Sequence, residues 1–228
     1  MENDLQQLNN EGEAVVDTKP KNKKLNRVID VFLWVLIAAL AIAVLFRAFV
    51  FTQITVSGKS MMPTLNDKDV VGVSKVKQPT RGNIVVFYKD DGVNKFFDIF
   101  GAGKSGDDSE HTKYIKRVVA IAGDKLWVER LDGMDNLYQV VLETPNGDVL
   151  YEESYDGLSK EDLYVKGTLP SGSGSDLGIL SQHIGKENAL EIPENCFFAM
   201  GDNRSNSHDS RVFGAVPLSR LYGVVVNM

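Results

Sequence analysis

The densest chemistry-bearing segment of the chain is SGKSMMPTL, Ser57 to Leu65, in which Ser60 is followed by two methionines and a proline. A serine hydroxyl becomes a useful nucleophile only beside a base. His208, flanked by Asp209, offers a Ser60, His208, Asp triad, because triads are defined by geometry and not by chain order. Lys116, within YIKRVVAIAGD, offers another base. A strand period of two places Tyr114, Lys116 and Val118 on one face of that run and Ile115 and Arg117 on the other. An ordinary lysine is neutral about once in 2,500 molecules at pH 7, so burial in apolar surroundings must bring its pKa down to near 7. The same lysine also fits a charge guarding a sheet edge.

A third cluster, MGDNRSNSHDSR (Met200 to Arg211), holds Asp202, Asn203, Arg204, Ser207, Asp209, Ser210 and Arg211 in a turn-rich stretch. Polar groups at that density either build a network that orients a base or form a solvated loop. Around Ser60, Met61 and Met62 suit an exposed surface touching lipid or an apolar peptide, and they equally suit a turn with two buried methionines.

These residues need elements to carry them. The chain has 228 residues, 43% of them hydrophobic, enough for one membrane segment and one compact domain with a modest insertion. From Val31 to Phe46 it is uninterruptedly apolar, and it resumes after Arg47 as far as Phe51. With Arg47 reaching back to the headgroups, Val31 to Phe51 spans about 31 Å, the thickness of a bilayer core. Lys19, Lys21, Lys23, Lys24 and Arg27 precede it, which places the N-terminus in the cytoplasm and the chain after residue 52 on the far side. A cleaved secretory signal also joins basic residues to an apolar run, but this run exceeds an h-region and no small-residue cleavage site follows. The expected organisation is a polar cytoplasmic tail over 1–27, disordered over its first 18 residues, a membrane helix over 28–51, and an extracytoplasmic domain over 52–228. Ser60 comes nine residues after Phe51, so it lies at most about 32 Å from the helix end.

Beyond the helix, β-branched runs recur between turn signals: 69–76, 82–88, 114–122, 125–130, 137–143, 148–153, 196–202 and 221–227. They predict a mainly β domain of antiparallel sheets, with a hairpin turn at Asn146-Gly147. Residues 169–177 read as a flexible loop, and 89–112 as a charged excursion with an apolar centre. A net charge of -6 and a pI of about 5.2 argue against nucleic acid as a partner. Cys196 is the single cysteine, so no intrachain disulfide forms, and no metal-ligand spacing is present.

In chain order, SMMPTL, RGNIVVF (81–87), YIKRVVAIAGD and GDNRSNSHDSR resemble the four sequence boxes of the type I signal peptidases. The resemblance covers the core of residues 46–225. It implies a Ser-Lys dyad in which Ser60 attacks the scissile carbonyl and neutral Lys116 takes its proton. It gives Ser207 a hydrogen bond that orients Lys116, and makes Asp209, Arg211, Arg117, Asp202 and Arg204 supports of the site. It gives one oxyanion donor, the Ser60 N–H; where some relatives add a serine hydroxyl two positions earlier, this chain has Gly58. Val56, Met61, Leu65, Tyr114 and Ile115 match positions lining shallow apolar pockets for the small residues before the cut. The implied substrates are exported preproteins with Ala-X-Ala-like cleavage sites, the place is a bacterial cytoplasmic membrane with lipid at hand, and neither cofactor nor metal is required. The span of about 125–195, longer than in the smallest relatives, reads as an inserted β subdomain.

Two other enzyme sites compete weakly. Cys196 could serve a sortase-like transpeptidase, but it precedes Phe197-Phe198 in an apolar run where a buried thiol is ordinary. Ser74 and Lys77 have S-x-x-K spacing, yet in a strand that spacing puts them on opposite faces. A membrane-anchored peptide-binding module without catalysis is the alternative outside the enzymes.

Overall fold

The computed structural model describes residues 23–89, 112–152, 155, 158–167 and 176–227. The expected disordered tail, the apolar centre of the 89–112 excursion, most of the 169–177 loop and the Arg47 side chain lie outside the described residues. The chain divides into two units, Met1–Val44 and Leu45–Met228.

The first unit is described by helix α1 (Lys23–Phe49), which continues into the start of the second. Its Leu25–Phe46 stretch is long and apolar enough to cross a membrane, and its large side chains are exposed on every side. A helix apolar all round requires surroundings as apolar as itself. It begins five residues before the expected start and stops before Phe51, because Phe51 is the first residue of strand β1 (Phe51–Thr55). Apolarity continues across that junction, so hydropathy alone hides it.

The second unit is built on two antiparallel sheets. The first has seven strands: β1, β2 (Val70–Ser74), β3 (Ile84–Tyr88), β4 (Lys113–Ile121), β10 (Cys196–Met200), β11 (Val216–Pro217) and β12 (Leu221–Asn227). They lie in the order β1-β2-β12-β3-β4-β10-β11. β3 is central and covered on both faces, so all five of its residues are apolar and buried. The second sheet is formed by β5 (Lys125–Arg130), β6 (Leu137–Glu143), β7 (Val149–Tyr151), β8 (Val165–Lys166) and β9 (Leu190–Glu191), with β7-β6-β5-β9 in order and β8 also paired to β6. All eight sequence runs fall on strands; β8, β9 and β11, two residues each, are too short to carry a period. Asn146-Gly147 makes the β6–β7 hairpin, with Gly147 at φ +88, a left-handed value that a glycine takes without strain.

The second sheet occupies the span expected as an insertion, and it shares a core with the first. Leu126, Val128, Tyr138, Val140 and Leu142 pack with Val119, Ala120, Phe198 and Met200 of the first sheet in one buried cluster. β4 passes into β5 through a tight turn at Gly123, φ +83, so the strand that bears Lys116 is continuous with the second sheet. A further cluster of Val56, Met61, Leu65, Val71, Val73, Ile84, Val86 and Ile115 fills the region beneath the Ser60 turn.

Candidate active site

The cleft arises from an unfinished sheet edge. β4 pairs with β3 along Lys113–Arg117 but meets β10 only from Arg117 onward, so among the described residues no strand pairs with Tyr114–Lys116 on that side. The chain leaving β1 turns down beside this gap. Residues 54–60 form one wall of a cleft of about 310 Å³ and residues 113–116 the other, with Val86, Asn206 and His208 completing it.

Ser60 and Lys116 meet at its floor. Lys116 Nζ lies 2.7 Å from Ser60 Oγ and donates to the Ile115 carbonyl at 2.8 Å. The lysine is only 3% exposed, and burial brings its pKa down from the ordinary 10.5 to about 8. The negative charges of Asp209 and Asp202 hold it up against that pull, and Arg211 adds to the lowering. Desolvation by the apolar strand is therefore the dominant influence.

Behind the dyad the third cluster folds inward. Asp209 accepts hydrogen bonds from Gly201 N at 3.0 Å and from Arg211 Nε and Nη2 at 2.9 and 2.8 Å, and it caps the short helix α2 (Ser210–Phe213). Burial works to raise the pKa of Asp209; the Arg211 guanidinium overcomes it and holds the carboxyl below its ordinary value. Arg117, on the face of β4 opposite Lys116, makes a two-point bond to Asp202 at 2.8 and 2.7 Å and donates to Gly82 O. Asn203 grips the nucleophile turn, its N–H donating to Ser60 O and its side-chain amide to Lys59 O, both at 3.1 Å. Gly201 is required by close approach: a Cβ there would collide with Ser207 Oγ and stand 2.5 Å from Ser60 O.

Several expectations need restating. The buried Ser207 hydroxyl makes no hydrogen bond to Lys116; it lies on the Asp209 side, where it helps lower the carboxyl's pKa. Met61 and Leu65 do not line the cleft. They are 1% and 2% exposed and lie in the cluster below it, because the turn after Ser60 folds onto that core, whereas Val56, Tyr114 and Ile115 do reach the wall. Met62 is half-buried. The Ser60 N–H has no partner among the described residues, while the Gly58 N–H is committed to Asp67 at 2.8 Å. His208 stands on the cleft rim, 3.5 Å from the Tyr114 hydroxyl, and makes no hydrogen bond to Ser60. Cys196 packs half-buried against the core shared by the sheets. Among the described residues no group of His, Cys, Asp and Glu is arranged to hold a metal. Asn203 and Gly201 are legible in the sequence only as members of a polar box, and nothing there marks what Asn203 holds.

A mainly antiparallel β domain carries this cleft, and its relatives place it in a known lineage. The family model described as signal peptidase, peptidase S26, matches residues 28–228. Signal peptidase I of Bacillus caldolyticus is 30% identical over 213 residues, covering 91% of this chain and 92% of that protein. Signal peptidase IB of Staphylococcus aureus (strain COL) is 30% identical over 204 residues, covering 86% and 87%. A crystal structure of a signal peptidase I from Enterococcus faecalis V583 matches with a TM-score of 0.35 and 24% identity, over 66% of this chain and 99% of that one. The chain belongs to the signal peptidase family, peptidase S26. It is accordingly a hydrolase, a serine peptidase of signal peptide processing.

Proposed function

We propose that the chain is a membrane-anchored endopeptidase that removes signal peptides from exported preproteins with a Ser60-Lys116 dyad. The observation that carries this reading is the 2.7 Å contact between Lys116 Nζ and Ser60 Oγ inside a buried, apolar floor. With a pKa of about 8, roughly one lysine in ten is neutral at pH 7, some hundreds of times the fraction of an ordinary lysine. The neutral amine accepts the Ser60 proton as Oγ attacks the scissile carbonyl. Its bond to Ile115 O helps hold the amine against Ser60. The Ser60 N–H faces the developing oxyanion, the ammonium returns its proton to the leaving amine, and an acyl-enzyme remains. Lys116 then deprotonates the water that hydrolyses it.

The substrate enters as an added strand in the cleft between residues 54–60 and 114–116. Val56, Tyr114 and Ile115 leave room only for small side chains before the cut. Helix α1 anchors the enzyme, with the basic flank in the cytoplasm and the β domain on the outer face of the bacterial cytoplasmic membrane.

The test is processing of a preprotein in lipid or detergent, with the small residues one and three positions before the cut each replaced by leucine. Processing falls by at least about 100-fold for either replacement if the walls are as shallow as they stand. Unchanged processing refutes the pocket assignment.

A further inference from the structure

The second sheet reaches into the catalytic core at two points that the dyad reading leaves unused. Glu152, immediately after β7 and 6% exposed, makes a two-oxygen pair with Arg204, which is 3% exposed. Arg204 also donates to Leu163 O at 2.7 Å and to Gly201 O at 3.0 Å. Its guanidinium therefore spans from the second sheet to the backbone that touches Ser207 and Ser60. Three residues on, the Tyr155 ring lies 4.2 Å from the Arg117 guanidinium, and it covers Gly82, whose carbonyl Arg117 also holds. Arg117 is the residue after Lys116, and Arg204 is the residue after Asn203. Two side chains just beyond β7 thus close over Arg204 and Arg117, the neighbours in sequence of Asn203 and Lys116.

We infer that Glu152 and Tyr155 are positioning residues for the Ser60-Lys116 reaction, so that the second sheet sets the alignment of the dyad through Arg204 and Arg117. The assignment rests on the dyad reading. The chain of contacts is short. Glu152 fixes Arg204, Arg204 fixes the Gly201 carbonyl, and from Gly201 to Asn203 the loop carries the N–H that holds Ser60 O. On the other side, Tyr155 and Asp202 hold Arg117 from different directions, one by its π face and one by two charged bonds. Neither Glu152 nor Tyr155 touches substrate or reacting atoms. Their effect is on the distance between Nζ and Oγ, to which rate responds steeply.

The test uses the full chain in detergent with a preprotein substrate, and compares E152Q, Y155A, Y155F and L126A. Leu126 lies in the core shared by the sheets and is not among the residues lining the cleft, so L126A controls for lost stability. Rates are taken below each variant's melting transition and counted per folded molecule from the near-ultraviolet dichroism. E152Q and Y155A lower kcat by about tenfold or more with KM within about twofold of the parent. Both also move the acidic limb of the kcat profile to higher pH, because a loosened loop lets water reach Lys116 and solvates its ammonium. Y155F, which keeps the ring over Arg117, recovers the parent rate, and L126A keeps the parent kcat and profile. Parent-like kcat and pH limb in E152Q and Y155A, or an equal loss in L126A, overturn the inference. Activity persisting in S60A or K116A overturns the dyad reading itself, which separates the two failures.

Discussion

Replacing Lys116 by methionine, an apolar chain of similar length, isolates the free-energy cost of the buried amine. The folded lysine titrates at about 8 and the unfolded one near 10.5. Below pH 8 both states are protonated and the folded state carries the full burden of a desolvated ammonium, about 3 kcal/mol at pH 7. Between pH 8 and 10.5 the unfolded chain binds more protons than the folded one, so wild-type stability rises with pH. By pH 10 the burden has fallen to about 1 kcal/mol. The methionine variant carries none of it, and the hydrogen bonds it loses to Ser60 and Ile115 are lost at every pH alike. The stability difference, variant minus wild type, therefore shrinks by about 2 kcal/mol from pH 7 to pH 10, a relative shift of roughly 4–8 °C for a domain of this size. Thermal melts of both intact chains in detergent, at the two pH values, measure it directly. A difference that is the same at pH 7 and pH 10 refutes the claim that Lys116 is desolvated.

The same pKa governs rate: kcat should fall about tenfold for each pH unit below about 8, because protonating Lys116 removes the base, and a flat profile between about pH 5 and 8 contradicts it. Gly201→Ala brings a Cβ against Ser207 Oγ and the Ser60 carbonyl; the hydroxyl can rotate away but the backbone cannot, so processing drops by about 100-fold or more. Gly133→Ala, in an open turn away from the cleft, meets no neighbouring atom but takes a left-handed φ of +74, so it costs about 1 kcal/mol of stability while processing per folded molecule stays near the parent rate. Asp202→Asn strips the charge partner from buried Arg117 and costs about 3–5 kcal/mol, read as a fall in denaturant midpoint. Arg130→Ala, which breaks the exposed pair with Asp135, changes stability by less than about 1 kcal/mol in the same titration.

The strands of the domain are legible wherever β-branched and aromatic residues run together between turn signals, as in Ile84–Tyr88 and Lys113–Ile121. β1 is hidden because Phe51 continues the apolarity of the helix, and β8, β9 and β11 exist through pairing and not through their own residues. At the site, local pattern marks Ser60, Lys116 and the 200–211 cluster separately. What joins them is a contact across 56 positions, which no periodicity encodes. Met61 illustrates the limit of local reading, since its burial depends on a core assembled from β2, β3 and β4. Glu152 and Tyr155 are further cases. In YEESY nothing separates them from surface residues until the second sheet is folded against the first.

The central claim is that Ser60 attacks and Lys116, not His208, takes its proton. The most direct measurement is cleavage of a preprotein in lipid or detergent by the intact chain and by Ser60→Ala, Lys116→Ala and His208→Gln. Ser60→Ala and Lys116→Ala should abolish processing while His208→Gln keeps most of it, as expected for an imidazole on the cleft rim, 3.5 Å from the Tyr114 hydroxyl and unbonded to Ser60. An inactive His208→Gln beside a working Lys116→Ala would contradict the account.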